Sequence, residues 1–268
     1  MPASGSSQPI QCFQAELVDT AFSPHRHSVY TLALTRRGIQ AFDYRGATRH
    51  ARPGDAVILH PDEIHDGRPV DETGFGYAAI TLAPEHVSDM RPGPLPHIAG
   101  GVSHDPRLIA AIGACLQAGE AGDGDPAGWS HRLTELVLAM DAISDSAAIR
   151  PAPDRSAVEC ARRFILNRAD RAPDMAELEM VSGIDRWRLS RDFRQLLGTS
   201  PYRYWQMGRL DRARALVENG HALADTAYAC GFADQAHFTR QFRQAYGLSP
   251  RRWQTLLASP RRPCTIVQ

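Results

Sequence analysis

Three histidines in the first quarter of the chain have a spacing that could support chemistry. His25 and His27 are separated by one residue in Pro24-His25-Arg26-His27, and His65 follows a turn further along. Residues i and i+2 of an extended segment point to one face, and neutral imidazoles suit zinc, iron and copper. These side chains could therefore hold a metal ion, line a polar pocket for an organic molecule, or serve only in packing.

A second informative segment, residues 231–253, has the pattern of a short amphipathic helix followed by the start of another. Asp234 is predicted to cap its N-terminus and Gly247 to end it, and Ser249 with Pro250 begins the next helix. Aromatic residues at helical spacing, Phe238, Phe242 and Tyr246, predict the buried face. The opposite face is polar and suits the major groove of DNA. It carries Gln235, Ala236, Thr239, Arg240 and Arg243.

The same pattern occurs earlier in the chain. An arginine, an aromatic residue, a cap glycine and a proline at the first helical position each recur after 49 residues: Arg191, Phe193, Gly198 and Pro201 match Arg240, Phe242, Gly247 and Pro250. A constant separation across four different residue types indicates a duplicated unit. We therefore predict two helix-turn-helix units in tandem, and the outward face of the first carries Trp187, Ser190, Arg191 and Arg194.

The last hundred or so residues resemble the C-terminal DNA-binding domain of the AraC/XylS family of bacterial transcription regulators. The residues that carry the resemblance are Ala229, Gly231, Phe232, Asp234, Gln235, His237, Phe238, Arg240, Phe242, Gly247, Ser249 and Pro250. Two residues depart from the family pattern. Asp185 is the helix cap where serine is commoner, and Trp253 follows the second unit in place of the usual tyrosine. Both keep the role of the residue that they replace. The resemblance implies a regulator that binds double-stranded DNA, forms a homodimer and contacts RNA polymerase.

Each unit would place its second helix in a major groove, with the two insertions about one helical turn apart. Arg191 and Arg240 are the candidates for guanine, Gln235 for adenine, and Trp187 or Thr239 for the thymine methyl group. Arg188, Ser190 and His237 complete the predicted base-facing set. Phosphate contacts are predicted for Arg194, Arg203, Arg243, Arg251 and Arg252. As an alternative, the arginine repeated in both helices could brace the fold through an acidic partner.

The charge distribution divides the chain into two halves. Residues 155–268 carry 19 Arg and 11 acidic residues, whereas residues 1–154 carry 11 Arg and 19 acidic residues. A basic half joined to an acidic half is typical of a nucleic-acid-binding domain joined to one of another kind. The five cysteines include no Cys-x-x-Cys pair, so we expect neither a disulfide framework nor a structural zinc site.

The length of 268 residues fits two domains. No apolar run approaches the roughly 18 to 20 residues that span a bilayer, and the polar start of the chain has no signal-peptide pattern. We therefore expect a cytoplasmic protein with no membrane partner.

Short strands punctuated by glycine and proline are predicted for the first half, which indicates an all-β barrel or double-sheet sandwich. This half resembles the cupin-type sensor domain of many family members, through Pro24-His25-Arg26-His27 and through Pro53-Gly54-Asp55 followed by His65. The carboxylate that metal-binding cupins place after the histidine pair is missing here. We therefore predict no metal or other cofactor, and an organic small-molecule effector contacted by His25, His27, Tyr30 and His65.

Helical periodicity begins at Asp105 and predicts an antiparallel hairpin over about 105–145, with a loop over 119–128. Its apolar stripe could cover the sheet or form a dimer interface. The stretch 146–155, rich in Ala, Pro and Ser, is the predicted linker between a cupin-like domain over 1–145 and the helix-turn-helix domain over 156–268. Capping boxes are predicted at Ser156 with Glu159 and at Asp174 with Glu177.

Two other classes of protein were weighed. The first is a cupin-type metalloenzyme with a helical accessory domain, and the second is an adaptor whose helical half binds protein. The chain contains no Gly-x-Ser-x-Gly, no His-Glu-x-x-His and no Walker loop, so we predict that it is not an enzyme. The basic charge of the second half disfavours the adaptor.

Overall fold

A computed structural model of the chain describes residues 10–18, 21–121, 126–145, 152–168 and 171–258. The described residues divide into two compact units. The β-rich unit contains residues up to 22 and from 29 to 152, and the helical unit contains residues 23–28 together with those from 153 onward. Within the described ranges, none of the helices combines the length and the apolar character that crossing a membrane requires. Most of the predicted linker, and Cys264, lie outside the described residues.

The β-rich unit has two sheets rather than one closed barrel. The five-stranded sheet has the order β1-β8-β3-β6-β9, and the four-stranded sheet has the order β2-β7-β4-β5. The strands are β1 (Gln11–Leu17), β2 (Phe22–His25), β3 (Tyr30–Arg37), β4 (Gln40–Tyr44), β5 (Ala47–Ala51), β6 (Ala56–Leu59), β7 (His65–Pro69), β8 (Phe75–Leu82) and β9 (Val102–Ser103). The short strands predicted for the first half are confirmed.

The central strand β3 is buried on both faces. Tyr30, Leu32 and Leu34 pack in a cluster with apolar residues of the helices, whereas Ala33 on the other face packs with Phe42 of the second sheet. Successive residues of a strand point to opposite faces, so each face of β3 contributes to a different core. This is why all of residues 30–35 are buried, Thr31 and Thr35 included.

Three helices belong to the β-rich unit: α1 (Pro84–Met90), α2 (Pro106–Ala121) and α3 (Pro126–Ala142). The stripe of α2 and α3, which includes Leu108, Ile112, Leu136 and Met140, is buried in one cluster with β3 and β8. The predicted stripe therefore covers the sheet. The predicted loop over 119–128 is too long, because α2 continues to Ala121.

The helical unit contains α4 (Arg155–Asn167), α5 (Met175–Ser182), α6 (Arg186–Leu197), α7 (Pro201–Glu218), α8 (Leu223–Ala229), α9 (Gln235–Tyr246) and α10 (Pro250–Ala258). Its core has two clusters. One is centred on Phe193 of α6 and the other on Phe238 and Phe242 of α9. The long helix α7 contributes Trp205 to the first cluster and Leu210 to the second, so it joins the two helix-turn-helix units.

Helix caps were predicted with mixed success. Asp174 and Asp234 accept backbone hydrogen bonds as N-caps, and Gly198 and Gly247 end their helices in the left-handed conformation. The capping box at Ser156 is wrong, because Asp154 caps α4 by accepting from the Ala157 N–H at 3.0 Å. Glu159, its predicted second member, instead pairs with Arg162 at 2.7 Å. Likewise, Glu177 accepts from Arg168 and Arg171.

Candidate functional site

Helix α9 presents a polar face opposite its aromatic core. The Asp234 carboxylate accepts from the His237 N–H at 2.6 Å, which starts the helix, and Phe238 and Phe242 are fully buried. Gln235, Arg240 and Arg243 are exposed, and Thr239 is partly buried. The ring of His237 lies edge-on to Phe232, with centroids 5.7 Å apart. His237 therefore packs against the core as well as facing outward.

Helix α6 has the same design in the first unit. The Asp185 carboxylate accepts from the N–H groups of Trp187 and Arg188, both at 3.0 Å. Leu189 and Phe193 are fully buried, whereas Trp187 is 82% exposed. Arg188, Arg191 and Arg194 are also exposed, and Ser190 is partly buried. All predicted base-facing residues of this helix thus lie on its accessible side.

Two of these arginines bind a carboxylate that sequence reasoning missed. Asp192 is completely buried and lies 2.9 Å from both Nε and Nη2 of Arg191. Its second oxygen lies 3.7 Å from Arg188 Nε and accepts the Asp154 N–H at 3.0 Å. Arg191 therefore has an acidic partner, which is the contact that the fold-bracing alternative requires of it. The available signal was one acid in the recognition helix, at the position that Gln241 occupies in the second unit.

Two arginines of α7, neither of them predicted, fix the second unit. Arg209 lies between the rings of Trp205 and Phe232, 4.5 Å from each centroid. Its Nε donates to the Cys230 carbonyl at 2.9 Å, and Nη2 donates to the Gly231 carbonyl. Arg212 donates to the Ala229 carbonyl. These arginines satisfy carbonyls at the end of α8, so they support the fold rather than face DNA.

The predicted phosphate-binding arginines differ in their surroundings. Arg203 donates to Gln206 Oε1 at 3.0 Å and is partly buried. Arg251 and Arg252 are exposed in the first turn of α10, and the N-terminal turn of a helix favours an anion. The accessible guanidinium groups of α10 therefore fit the predicted role better than that of Arg203.

The three predicted histidines belong to different units. His25 and His27 lie in the segment 23–28, which groups with the helical unit, whereas His65 belongs to the β-rich unit. Nδ1 of His25 lies 2.8 Å from the Ser23 carbonyl, and Nδ1 of His65 lies 2.9 Å from the Glu63 carbonyl. Neutral imidazoles suit either a polar group of a ligand or a transition metal.

Tyr30, the fourth residue predicted to contact the effector, lies in the core of the β-rich unit. It is 1% exposed, packs on the helix-facing side of β3, and donates its hydroxyl to the Pro96 carbonyl at 2.7 Å. Burial raises the pKa of Tyr30 well above its usual range. The prediction that Tyr30 contacts the effector is therefore unsupported, because its side chain forms part of the core.

A buried Tyr44–His60 pair, also missed from the sequence, links β4 to the segment before β9. The Ile98 N–H donates to His60 Nε2 at 3.0 Å, so the proton of the neutral ring is on Nδ1. That proton is donated to the Tyr44 hydroxyl at 2.6 Å. Burial, together with the smaller electrostatic effects of Arg45 and His97, lowers the pKa of His60 to about 3. The pair is therefore a neutral structural network.

Two accessible recognition helices and a separate two-sheet unit define the class of two-domain helix-turn-helix regulators. The family model described as an AraC-like ligand binding domain matches residues 8–137, and the model described as a helix-turn-helix domain matches residues 181–255. The chain belongs to the AraC/XylS family of bacterial transcription regulators.

Relatives match over most of the chain. The Arabinose operon regulatory protein of Escherichia coli (strain K12) is 28% identical over 232 residues, which cover 82% of this chain and 78% of that protein. The HTH-type transcriptional regulator YbfI of Bacillus subtilis (strain 168) is 21% identical over 236 residues and 85% of each chain. These relatives are transcriptional regulators rather than enzymes.

A solved structure shows the same fold. The unsaturated fatty acid bound ToxT from Vibrio cholerae strain SCE256 has a TM-score of 0.68 and 14% identity, with 98% of this chain and 100% of that chain covered. This similarity confirms the architecture of a β-rich N-terminal domain followed by a helical domain.

Proposed function

We propose that this regulator inserts α6 and α9 into successive major grooves of its target and responds to an organic effector through the β-rich unit. The observation that carries the proposal is the repetition of one arrangement. Each unit has a capped helix with buried aromatic residues on one face, and an exposed arginine, Arg191 or Arg240, at the same position on the other. A helix with polar residues on its accessible face can read base edges in the major groove.

The test is selection of duplexes from a random library by the full-length protein. We expect enrichment of two short conserved elements centred about 10 to 10.5 base pairs apart. In footprinting, the protein should protect two stretches on one face of the selected duplex. Selection of no consensus, or of a single element that is retained when the α9 residues Gln235 and Arg240 are both replaced by Ala, would contradict insertion of both helices.

For the effector we propose a small organic molecule whose polar group contacts the imidazoles of His25, His27 and His65. All three lie within the residues that match the AraC-like ligand binding domain, which supports this proposal. ToxT is described with an unsaturated fatty acid bound, so acidic lipids are a first class of molecule to screen. Replacing all three histidines by Ala should abolish the effect of a ligand on promoter output without changing the DNA affinity of the helical unit. Metal analysis of the purified protein tests the competing metal site.

Self-association and contact with RNA polymerase are also part of the proposed function. The buried stripe of α2 and α3 is occupied by the sheet, so a homodimer would have to use other residues, and Leu138 of α3 is 53% exposed. Leu138→Glu should therefore weaken any dimer that uses α3. Analytical ultracentrifugation of both proteins measures this, and unchanged association would place the interface elsewhere.

A further inference from the structure

We propose that Asp192 is a positioning residue that makes the first recognition helix more selective for sequence than the second. This inference rests on the proposed insertion of α6 into a major groove. It concerns a residue that contacts no DNA itself, because its side chain is completely buried.

Asp192 fixes the orientation of the Arg191 guanidinium. Asp192 Oδ1 binds the edge formed by Nε and Nη2 of Arg191, with both distances at 2.9 Å. A guanidinium carries five N–H donors in a rigid plane. Occupying the Nε edge leaves the terminal edge, Nη1 with Nη2, and that edge can bind guanine O6 and N7 together. Asp192 thus holds Arg191 in an orientation suited to a two-bond contact with one base.

Asp192 is itself firmly held. Oδ2 accepts the Asp154 N–H at 3.0 Å, and Asp154 caps α4. Arg188 lies 3.7 Å from Asp192 and 3.6 Å from the Asp154 carboxylate. Because the Asp192 carboxylate is fixed from two helices, the guanidinium that it holds loses little side-chain entropy when Arg191 binds DNA. The guanidinium is therefore preorganised. The side chain of Arg191 remains 43% exposed.

The negative charge of Asp192 also acts on the arginines beside it. Asp192 lies within ion-pair distance of two of the arginines on the DNA-facing helix, which reduces their attraction for phosphate at any sequence. Sequence-independent affinity comes mainly from phosphate neutralisation, so a carboxylate at this place weakens non-specific binding. The matching residue of the second unit is Gln241, which is neutral and accepts from Gln206 at 2.8 Å. Arg240 therefore lacks this restraint from its neighbour in the sequence.

The experiment uses full-length wild type and Asp192→Asn, titrated with the selected duplex, with single-base variants of it, and with random duplex. Asn keeps the size of the side chain and an acceptor for the Asp154 N–H. We expect the affinity for random duplex to rise about threefold to tenfold. The slope of log affinity against log salt concentration should steepen by about one. Discrimination at the base pair read by Arg191 should fall about tenfold.

Two controls separate positioning from charge and from folding. Asp225→Asn changes the same charge at an exposed residue of α8, and it should leave base discrimination unchanged. In an Arg191→Ala background, Asp192→Asn should no longer change discrimination at that base pair, because its effect passes through Arg191. If Asp192→Asn does not fold, Arg191→Lys removes the two-nitrogen contact while Asp192 stays, and the same loss of discrimination is expected.

The outcomes are distinguishable. Equal discrimination by wild type and Asp192→Asn overturns the inference, and so does an effect that persists without Arg191. If wild-type protein selects no duplex, the proposed function itself fails before Asp192 is tested.

Discussion

Arg191 and Arg251 are proposed to serve DNA binding in two different ways. Arg191 lies in the middle of α6 beside Asp192, whereas Arg251 lies in the first turn of α10. A base contact changes affinity at one sequence, and a phosphate contact changes it at all sequences. The two arginines should therefore respond differently to removal.

We predict that Arg191→Ala costs about 1 to 3 kcal/mol on the selected duplex and relaxes preference at one base pair. Arg251→Ala should weaken selected and random DNA alike and reduce the salt slope by about one. Binding titrations on both duplexes at two salt concentrations measure this. If Arg191→Ala weakens both duplexes equally, Arg191 contacts phosphate or supports the fold.

His60 gives the β-rich unit a dependence on pH. Its folded-state pKa of about 3 lies below the ordinary value of 6.5, so between these values the unfolded chain binds the extra proton. The stabilisation is complete above about pH 6.5 and is lost as the pH falls towards 3. At about 1.4 kcal/mol per pKa unit, acidification from pH 7 to pH 5 should cost about 2 kcal/mol through His60.

The measurement is denaturant unfolding of the β-rich unit within the full chain at both pH values. His60→Gln should lower stability at pH 7, because the bonds to Tyr44 and Ile98 are disturbed, yet show about 2 kcal/mol less loss on acidification. An equal loss in both proteins would assign the acid sensitivity to other groups, of which His86, whose pKa burial also lowers, is the first candidate.

Residue roles were predictable from the sequence where they depend on neighbours in the chain. Asp234 could be identified as a cap because it contacts an N–H three residues away. Asp192 and Arg209 could not, since their roles depend on Asp154 and on the carbonyls of α8, far away in sequence. For Tyr30 the strand pattern does not predict which face it occupies, because β3 is buried on both faces.

Two glycines of the helical unit, one at a helix end and one in a helix interior, have different backbone conformations. Gly183 ends α5 with φ of 71°, and an added Cβ would meet no atom within 4 Å. Gly208 lies exposed inside α7, and there too a Cβ would meet nothing within 4 Å. The space is equal at both positions, so only backbone conformation distinguishes them.

We predict opposite effects of the same substitution at these two positions. Gly183→Ala should destabilise the helical unit by about 1 kcal/mol, because a side chain disfavours the left-handed conformation. Gly208→Ala should stabilise it by about 0.5 to 1 kcal/mol, because alanine favours a helix interior. Denaturant unfolding measures both, and a change of the same sign would show that local conformation does not decide stability here.

The prediction of elements was more accurate for helices than for sheets. The predicted ends of α9, at Asp234 and Gly247, match the structure, because caps and periodicity are local signals. The order β1-β8-β3-β6-β9 has neighbours that are far apart in sequence, and a strand pattern does not say which strand it will pair with. Helix α1 and strand β9 were missed because both are short.

At the scale of the whole molecule, charge separates the two units as clearly as structure does. The excess of arginine falls in the helical half, and both recognition helices belong to the unit centred on Pro153–Arg262. The core clusters of that unit contain only its own residues. It therefore has what folding and DNA binding require.

We predict that residues 153–268 alone bind the selected duplex with an affinity that falls steeply with salt, as expected for several phosphate contacts. Residues 1–152 should bind no DNA under the same conditions. Titrations from about 50 to 200 mM salt measure this. A salt-independent affinity of the helical fragment would argue against phosphate contacts as its source.

The exposure of Trp187 has an optical consequence. Of the four tryptophans in the chain, Trp129 and Trp253 are partly buried and Trp205 is 8% exposed, whereas the indole of Trp187 is 82% exposed on the face of α6. A solvated indole emits at longer wavelength than a buried one, and stacking against nucleobases quenches it. The unlabelled chain therefore carries its own fluorophore at the proposed contact, so encounter and release rates can be followed by stopped flow without attached dyes.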